Sequence, residues 1–533
     1  MTLNQNRLII TVMTRAINLQ YTEMPDLIFI DKISGINTHT PAFGQRGCVE
    51  IYEDALDKKL FVVQRLDKGT SGAMMFATTP EMAASLTQLL ENQEVEKKYL
   101  FLTHQKSAKT EFDYKSFIHK EKNAFVSETD KEPNAHTRFK FLGSRGEYYL
   151  WEAQPLTGKP HQIRLHAEAN GIPVLGDKDH NGKPFFRLCL HSLSSRFKVN
   201  GKDYFFQTAL PAWASEGISH DEETLALYEA LQRRERLFGR KDSNEQCLRL
   251  SHRDIDTYRI DQYGDHIWVY WYKESDPTDA DIMRFEEIAE KLDKKLYVRK
   301  MLNRGDNPNA QIMWTARNPE TRWQAKENQV SFELRSDSGL SPGLFLDQRE
   351  NRMWVASQAE GRSVLNLFSY TSGFSVVSAL AGARDVCTVD VSANFIEWSK
   401  RNFEINGLDP EDEKYEFWVQ DCLLFLKGAY RRKRKYGLIV CDPPSFGRSK
   451  NGTFSISKNF DELVLNCLYC LEKNGLLLFC TNYEKWTTGD LHLRLNKLKK
   501  DFSFKVLDAP LQGLDFELPD QDPLMKSIII RKN

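Results

Sequence analysis

The sequence of 533 residues has almost no net charge: 73 Lys and Arg stand against 74 Asp and Glu, a formal balance of −1. That gives no global sign of a polyanionic partner, so any surface for one must be local. It has no uninterrupted apolar run long enough to span a bilayer, which argues against a membrane protein. The start, Met1-Thr-Leu-Asn-Gln-Asn-Arg, has no basic region followed by a long apolar stretch, and no signal peptide is expected. Cysteines are few, nine in all. They are scattered and odd in number, which disfavours a disulfide framework and points to a reducing cytoplasm. The C-x-x-C at Cys467-Leu-Tyr-Cys470 lies in an apolar helical stretch without a second ligand pair, so two packed thiols are expected there and no metal. Repeats and low-complexity segments are absent from the pattern.

What is present is a globular mixture, 41% hydrophobic and 28% charged. One hydrophobic core seldom grows beyond ~250–300 residues, so the length implies several domains. Residues 1–215 have a β-rich texture, with apolar runs such as Leu27–Ile30, Phe61–Val63 and Tyr148–Trp151. Residues 216–240 read as a linker, a polar helix from Glu222 to Arg240 ending in Arg233, Arg234, Arg236 and Arg240. Residues 241–335 read as a small α+β domain. Its signals are a hairpin over Tyr258–Gly264 and His266–Tyr272, a helix over Asp279–Leu292 and a strand at Lys295–Arg299. Residues 336–533 alternate strands and helices, the pattern of a parallel, doubly wound α/β sheet. Strand candidates there are Ser363–Phe368, Asp385–Asp390, Tyr415–Val419, Gly437–Asp442, Gly475–Cys480, Phe504–Asp508 and Met525–Arg531. A helix over Asn394–Asn406 closes at Asn406-Gly407.

Two segments of the first part carry chemistry. Gln64-Arg-Leu-Asp-Lys-Gly-Thr-Ser-Gly72 puts Asp67 in the turn after an apolar run, and Thr157-Gly-Lys-Pro-His-Gln-Ile-Arg-Leu-His166 supplies Arg164 and two histidines. Taken singly, Asp67 reads as a turn-capping carboxylate, Arg164 as a salt-bridge residue, and His161 and His166 as structural histidines. Together with Asp31-Lys-Ile-Ser-Gly-Ile-Asn-Thr-His39, Glu96-Lys-Lys-Tyr-Leu100, Gly171–Asp177 and Leu190–Leu193, they resemble the RluA-type pseudouridine synthases over about residues 25–205. The resemblance implies a β-rich α+β catalytic fold, RNA in a basic cleft, and catalytic roles for Asp67, Tyr99 and Arg164. A carboxylate can serve as nucleophile or as general base on the sugar, and both routes stay open. Arg164 would pair with Asp67 and help hold a flipped nucleotide. Tyr99 would stack on the uracil and assist proton removal from carbon 5. Gln64 stands where the family often has His, and Lys32-Ile-Ser-Gly35 lacks its Pro. Both departures bear on substrate fit.

In the last part, Val364-Leu-Asn-Leu-Phe-Ser-Tyr-Thr-Ser-Gly-Phe374 is a strand running into a small-residue turn. Acids follow at the ends of later strands: Asp390, placed for ribose hydroxyls, Asp421, placed for an adenine amino group, and Asp442 of Asp442-Pro-Pro-Ser-Phe446. Any one of these could merely cap a strand or helix. The turn lacks G-x-G-x-x-G, which disfavours a dinucleotide pyrophosphate; S-adenosylmethionine has none. With Ser341–Arg349 and Arg259–Asp265, these motifs resemble the class I methyltransferases of large-subunit ribosomal RNA, of the RlmI (cytosine C5) and RlmK (guanine N7) types, over about residues 245–533. The fold implied is Rossmann-like and seven-stranded. The implied cofactor is S-adenosylmethionine, with Asn366, Phe368, Tyr370, Thr371, Gly373, Asp390, Asp421 and Asp442 as its contacts and Pro443, Pro444 and Phe446 on the base. Ser372 stands where the family usually has Gly.

The acceptor atom follows from chemistry. Cytosine C5 needs a Cys thiolate adding at carbon 6. Cys480 falls one position early for that, where a strand points it the other way, and reads as a buried structural thiol. Guanine N7 has an exposed lone pair and needs only positioning. The runs Phe479–Asn482, Val391–Trp398 and Ser449-Lys450 sit closer to the N7 type. Amino-group methylation through Asp-Pro-Pro-Ser-Phe is an alternative. Arg431-Arg-Lys-Arg-Lys435 and the linker arginines are candidate phosphate contacts, although such runs are usually solvated faces. The expectation is a cytoplasmic bifunctional enzyme acting on 23S ribosomal RNA, with tRNA possible for the first half and no DNA or membrane partner. The competing expectation is that one half is only an RNA-binding module.

Overall fold

In the computed structural model the described residues are 19, 21–40, 46–122, 124–238, 246–301, 313–338, 341–449, 452–500, 502–516 and 523–533. The opening heptapeptide, Arg240 at the end of the linker and Lys450 lie outside them. The described chain forms two compact units. One is Ile17–Arg240 with the short return Arg253–Asp256; the other is Lys241–His252 with Thr257–Asn533.

The first unit is built on an eleven-stranded mixed sheet. Its main path runs Tyr21–Met24, Leu27–Lys32, Ser71–Ala77, Leu190–Val199, Glu96–Thr103, Tyr148–Pro155, Ala135–Arg145, Glu111–Glu121 and Ala124–Glu128. Every residue of Ser71–Ala77 is buried, so this strand is apolar on both faces and central. It pairs in parallel with Leu190–Val199 only at its start, Ser71 with His191 and Gly72 with Ser192. That close approach needs a glycine. Gly72 has φ +108°, and a Cβ there would lie 2.1 Å from the Ser192 carbonyl oxygen. The turn carrying Asp67 therefore enters the sheet at a fixed point. The helix Pro80–Glu91 starts on Thr79, whose hydroxyl accepts from the Met82 amide, with Pro80 in the first turn. The linker helix is Glu222–Phe238 and belongs to this unit.

The second unit holds two main sheets. Five strands run in the order Cys247–Ser251, Tyr258–Tyr263, His266–Trp271, Lys295–Lys300 and Met313–Ala316. The hairpin is antiparallel from Tyr258–Trp271 to Tyr263–His266. The helix Asp279–Lys291 opens with a capping box between Thr278 and Asp281. A separate hairpin, Arg322–Glu327 with Val330–Arg335, follows.

The seven-stranded sheet comprises Ser363–Leu367, Asp385–Asp390, Tyr415–Val419, Tyr436–Cys441, Leu471–Thr481, Phe504–Leu507 and Lys526–Lys532. Numbered by chain order within the sheet, they run 3-2-1-4-5-7-6. The first five are parallel, as the doubly wound expectation requires, and Lys526–Lys532 is antiparallel to both neighbours. Ser363–Leu367 and Tyr436–Cys441 are buried throughout, as a sheet covered on both faces requires. The order reverses between them. Their carboxyl ends thus open a crevice at the switch point, where ligands of such sheets bind. Among the described residues no helix is long and apolar enough to cross a membrane.

Candidate active sites

Asp67 sits in the turn before Ser71–Ala77, and main-chain bonds from beneath hold that turn. The buried Lys32 ammonium donates to the carbonyls of Thr70 at 2.8 Å and of Asp67 and Lys68 at 3.3 Å. Ser34 Oγ donates to Gly69 O at 2.8 Å, and Thr38 Oγ1 to Leu66 O at 3.2 Å. The Asp67 carboxylate is left facing a cleft of about 920 Å³ whose walls include Arg65, Lys97, Tyr99, His161 and Arg164.

Arg164 lies in the first turn of the helix Gln162–Ala169 and is 7% exposed. Nε and Nη2 bind the two oxygens of Asp177 at 2.7 and 2.6 Å, and Nη2 also binds Asp179 at 2.8 Å. Nη1 is thereby aimed at Asp67 Oδ2, 3.3 Å away. Burial works against the guanidinium charge, but hydrogen bonds and charge from Asp177, with Asp179 and Asp67, outweigh it and raise its pKa. A fixed cation thus faces the candidate catalytic carboxylate.

Tyr99 lines the same cleft from the strand Glu96–Thr103. Burial first, then the Asp67 charge, push its phenol up to about 12, against a hydrogen bond with Ser192. It therefore stays protonated at neutral pH. His161, with a left-handed φ of 55°, places Nε2 4.0 Å from Asp67 Oδ2 and Nδ1 3.0 Å from His180 Nε2. Burial holds it below the usual histidine range, partly offset by Asp67. His166 is fully buried between Ser116 and Thr137, a structural histidine.

The second site gathers at the carboxyl ends of the seven-stranded sheet. The loop after Ser363–Leu367 has three non-glycine residues in the left-handed region: Phe368 (φ 55°), Tyr370 (48°) and Ser372 (69°). Tertiary bonds hold it. The Tyr370 amide donates to Asp390 Oδ2 at 3.0 Å, and its hydroxyl to Ser341 O at 3.0 Å. Thr371 Oγ1 donates to Gly343 O, and Ser372 Oγ to Ser399 Oγ. The other oxygen of Asp390 accepts from the Ser392 amide at 2.9 Å. Burial raises the Asp390 carboxyl, against these amides.

Asp421 caps the helix Cys422–Arg431, accepting from Leu423 and Leu424 amides at 3.1 Å through Oδ1. Asn366 is 1% exposed and donates to Ser375 Oγ at 2.9 Å, so its carboxamide is engaged inside the fold. Gly373 begins the helix Gly373–Leu380, where a Cβ would meet Arg352 Cδ at 3.3 Å. Pro443 is buried, Pro444 exposed, and Phe446 stands 44% exposed.

Asp442 Oδ2 accepts from Gln348 Nε2 at 2.7 Å. Burial raises its carboxyl to about 7 and Asp347 adds repulsion, while Gln348 and Arg352 pull it back. A carboxyl raised on folding keeps its proton longer in the folded chain than in the unfolded one, so stability falls as pH rises from about 4 to about 7. Asp442→Asn removes that penalty. Its unfolding midpoint should exceed that of the parent chain at about pH 8 and match it near pH 4. Equal shifts at both pH values in scanning calorimetry would refute this cause.

The linker arginines need correction. Arg234 is 2% exposed and pairs with Asp254 at 3.1 Å, and Arg236 is 7% exposed and pairs with Asp31 at 2.8 Å. Neither is a surface phosphate contact. In the other cluster Arg434 pairs with Glu416, whereas Arg431, Arg432, Lys433 and Lys435 are exposed at the amino end of Tyr436–Cys441, opposite the crevice.

A mixed sheet with a basic cleft around an Arg-paired aspartate, and a 3-2-1-4-5-7-6 sheet with acids at its switch point, define two kinds of enzyme: a pseudouridine synthase and a class I methyltransferase. Residues 26–169 match the RNA pseudouridylate synthase family and residues 251–527 the S-adenosylmethionine-dependent methyltransferase family. The second match spans more than half of the chain, and the chain belongs to that family, with an RluA-like pseudouridine synthase domain fused ahead of it.

Among its relatives is ribosomal RNA large subunit methyltransferase K/L of Acinetobacter baylyi, 35% identical over 252 residues, 44% of this chain and 34% of that protein. Another is ribosomal RNA large subunit methyltransferase K of Neisseria meningitidis serogroup B, 39% identical over 167 residues, 31% of this chain and 47% of that protein. The aligned segments thus span 34% and 47% of those two proteins. A methyltransferase crystallised with SAH aligns at a TM-score of 0.51 and 25% identity, over 64% of this chain and 88% of that one.

The cofactor of the second unit is S-adenosylmethionine. The residues fit it. Three carboxylates, Asp390, Asp421 and Asp442, suit a cationic ligand with ribose hydroxyls and would repel a pyrophosphate. Ser369 Oγ, in the loop itself, is buried with no hydrogen-bond partner among the described residues.

Proposed function

We propose that this chain is a bifunctional RNA-modifying enzyme that isomerises uridine to pseudouridine in its first unit and methylates a base of 23S ribosomal RNA in its second. The observation that carries the first half is the Arg164–Asp67 pair, 3.3 Å apart in a cleft with further cations on its walls. Arg164 pairs with Asp67 and fixes the direction of its carboxylate, which can attack as nucleophile or take a sugar proton. The cleft admits a base flipped out of its stack. Tyr99, protonated and half-buried, offers an aromatic face and a hydroxyl to the uracil. A tRNA substrate for this half is an outcome that the experiment below distinguishes.

In the second half, bound S-adenosylmethionine supplies an electrophilic methyl group. Asp390 would accept from its ribose hydroxyls and Asp421 from its adenine amino group, alongside the Phe368–Gly373 loop. Pro443, Pro444 and the exposed Phe446 would seat the acceptor base. We infer guanine N7 as the acceptor because it needs positioning and no covalent catalyst. Cys480, the residue a cytosine-C5 reaction would call on, is 0% exposed, with Asn351 Nδ2 at 3.4 Å and Ser527 Oγ at 3.6 Å from its sulfur. Burial pushes this thiol well above its usual range, the reverse of an activated nucleophile. Cys480→Ala should accordingly leave the methylation rate within about three-fold of the parent, since no covalent catalyst is lost. A rate near zero with the fold intact would restore the C5 reading.

A reducing cytoplasm suits nine free thiols. Joining two sites on one chain raises the effective concentration of the second once the first has docked. The deciding experiment maps modified nucleotides in total RNA from cells with and without the gene. Loss of one pseudouridine and one 7-methylguanine in 23S ribosomal RNA supports the proposal. Loss of a 5-methylcytosine, or of only one modification, overturns the corresponding half.

A further inference from the structure

We propose that the helix Glu222–Phe238 is a positioning element of the synthase site, gripping both flanks of the Asp67 turn through Glu229 and Arg236. The proposal rests on the synthase reading above. The two residues are two helical turns apart and share a face. Both are nearly buried, at 9% and 7% exposure.

Glu229 reaches the turn through one residue, Arg187, and Arg236 through two, Asp31 and its chain neighbour Lys32. Arg236 Nε donates to Asp31 Oδ2 at 2.8 Å. Asp31 is the chain neighbour of Lys32, whose ammonium holds the carbonyls of Asp67, Lys68 and Thr70 from below. Glu229 pairs with Arg187 Nη1. Arg187 Nη2 in turn donates to Ser71 Oγ at 2.8 Å and to Gly69 O at 3.4 Å, at positions of the turn that Lys32 does not bond. Ser71 Oγ is also bonded to His191 Nδ1 at 2.8 Å, and His191 Nε2 to Thr208 Oγ1 at 2.8 Å. The main chain that aims the Asp67 carboxylate is thus held by Lys32 and Arg187, and the ion pairs that back Arg187 and the strand carrying Lys32 both arise from one helix.

Stability alone is a poor reason for this arrangement. Among the described residues, Arg236 Nη1 and Nη2, Asp31 Oδ1 and Glu229 Oε2 are buried without hydrogen-bond partners. Apolar side chains would pack such a helix with less desolvation. What ion pairs provide and apolar contacts do not is a directional hold on specific main-chain atoms, which a site intolerant of small displacements needs.

The test uses the full chain and an unmodified large-subunit ribosomal RNA transcript. Arg236→Met should lower kcat for pseudouridine formation by about ten-fold or more, with KM little changed. Arg236→Lys keeps a cation for Asp31 and should retain much of the rate. The double variant Asp31→Asn/Arg236→Met removes both buried charges. It should recover the parent unfolding midpoint but not kcat. A rate that returned with stability would make the pair merely structural and overturn the proposal. A second readout does not depend on turnover: the imidazole of His161, 4.0 Å from Asp67, followed by NMR. Its titration should shift in both methionine variants. An unshifted titration overturns the positioning role. If the parent chain forms no pseudouridine on any RNA, the synthase reading fails, and the His161 signal still decides the proposal about the turn.

Discussion

Asp67→Ala should abolish pseudouridine formation and leave methyl transfer at the parent rate. Asp67 is the carboxylate proposed to supply the nucleophile or base, and Tyr99 beside it in the cleft is held protonated. Losses of about 10⁴-fold or more are usual when such a group is removed. The fold should survive. The Asp67 side chain is 34% exposed and meets Arg164 through one 3.3 Å contact, so its removal should cost at most about 1 kcal/mol. Arg164 keeps Asp177 and Asp179 as partners. The converse substitution is less informative. Arg164→Leu would strand the fully buried Asp177 carboxylate, and breaking a buried pair from one side costs about 3–5 kcal/mol. Asp67→Asn is the stricter control, as it keeps the shape and loses only the charge. Both products can be read from one reaction by mass spectrometry of digested RNA. If both disappeared in a folded protein, the two sites would not be independent.

The parts of this molecule that were legible in the sequence are those written locally. The seven strands of the second sheet announce themselves as short apolar runs between helical segments, with Asp390 ending one of them and Asp442 directly following another. The antiparallel last strand was not legible. Lys526–Lys532 is an apolar run like the others, and its direction depends on where it pairs. In the first unit, Asp67 and Arg164 were recognisable as motif residues, but what orients them was not. Asp177 was visible only as part of a longer resemblance, and Lys32 as a departure lacking its usual Pro. Their roles depend on contacts across the fold. The linker arginines show the limit most clearly. A run of Arg233, Arg234 and Arg236 in a polar helix looks like a solvated face, yet Arg236 is buried on Asp31, from the other end of the unit. No local pattern carries that pairing. Asn366, which the family resemblance assigns to the cofactor, donates its side-chain amide to Ser375, a contact no local pattern shows.

Asp390→Ala should remove cofactor binding from the second unit and leave pseudouridine formation unchanged. Asp390 acts in two ways at once. Its oxygens hold the amides of Tyr370 and Ser392, and in the proposed role its remaining lone pairs would accept from a ribose diol. The first role matters because the Phe368–Gly373 loop is conformationally costly. Phe368, Tyr370 and Ser372 all have positive φ, which disfavours L-residues by about 1–2 kcal/mol each. Such a loop persists only while outside contacts over-determine it. Alanine releases the Tyr370 amide and deletes both acceptors for the cofactor. Hydrogen bonds to a charged group are worth about 1.5–3 kcal/mol each, so the affinity for SAH should fall by about two orders of magnitude or more. Asp390→Asn can still accept one amide and one hydroxyl, and its loss should be smaller. Isothermal titration of SAH against the three full-length chains separates these outcomes. An alanine variant that binds SAH as the parent does would place the cofactor elsewhere than the switch-point crevice. A variant that loses pseudouridine formation as well would show that the damage spreads beyond the second unit.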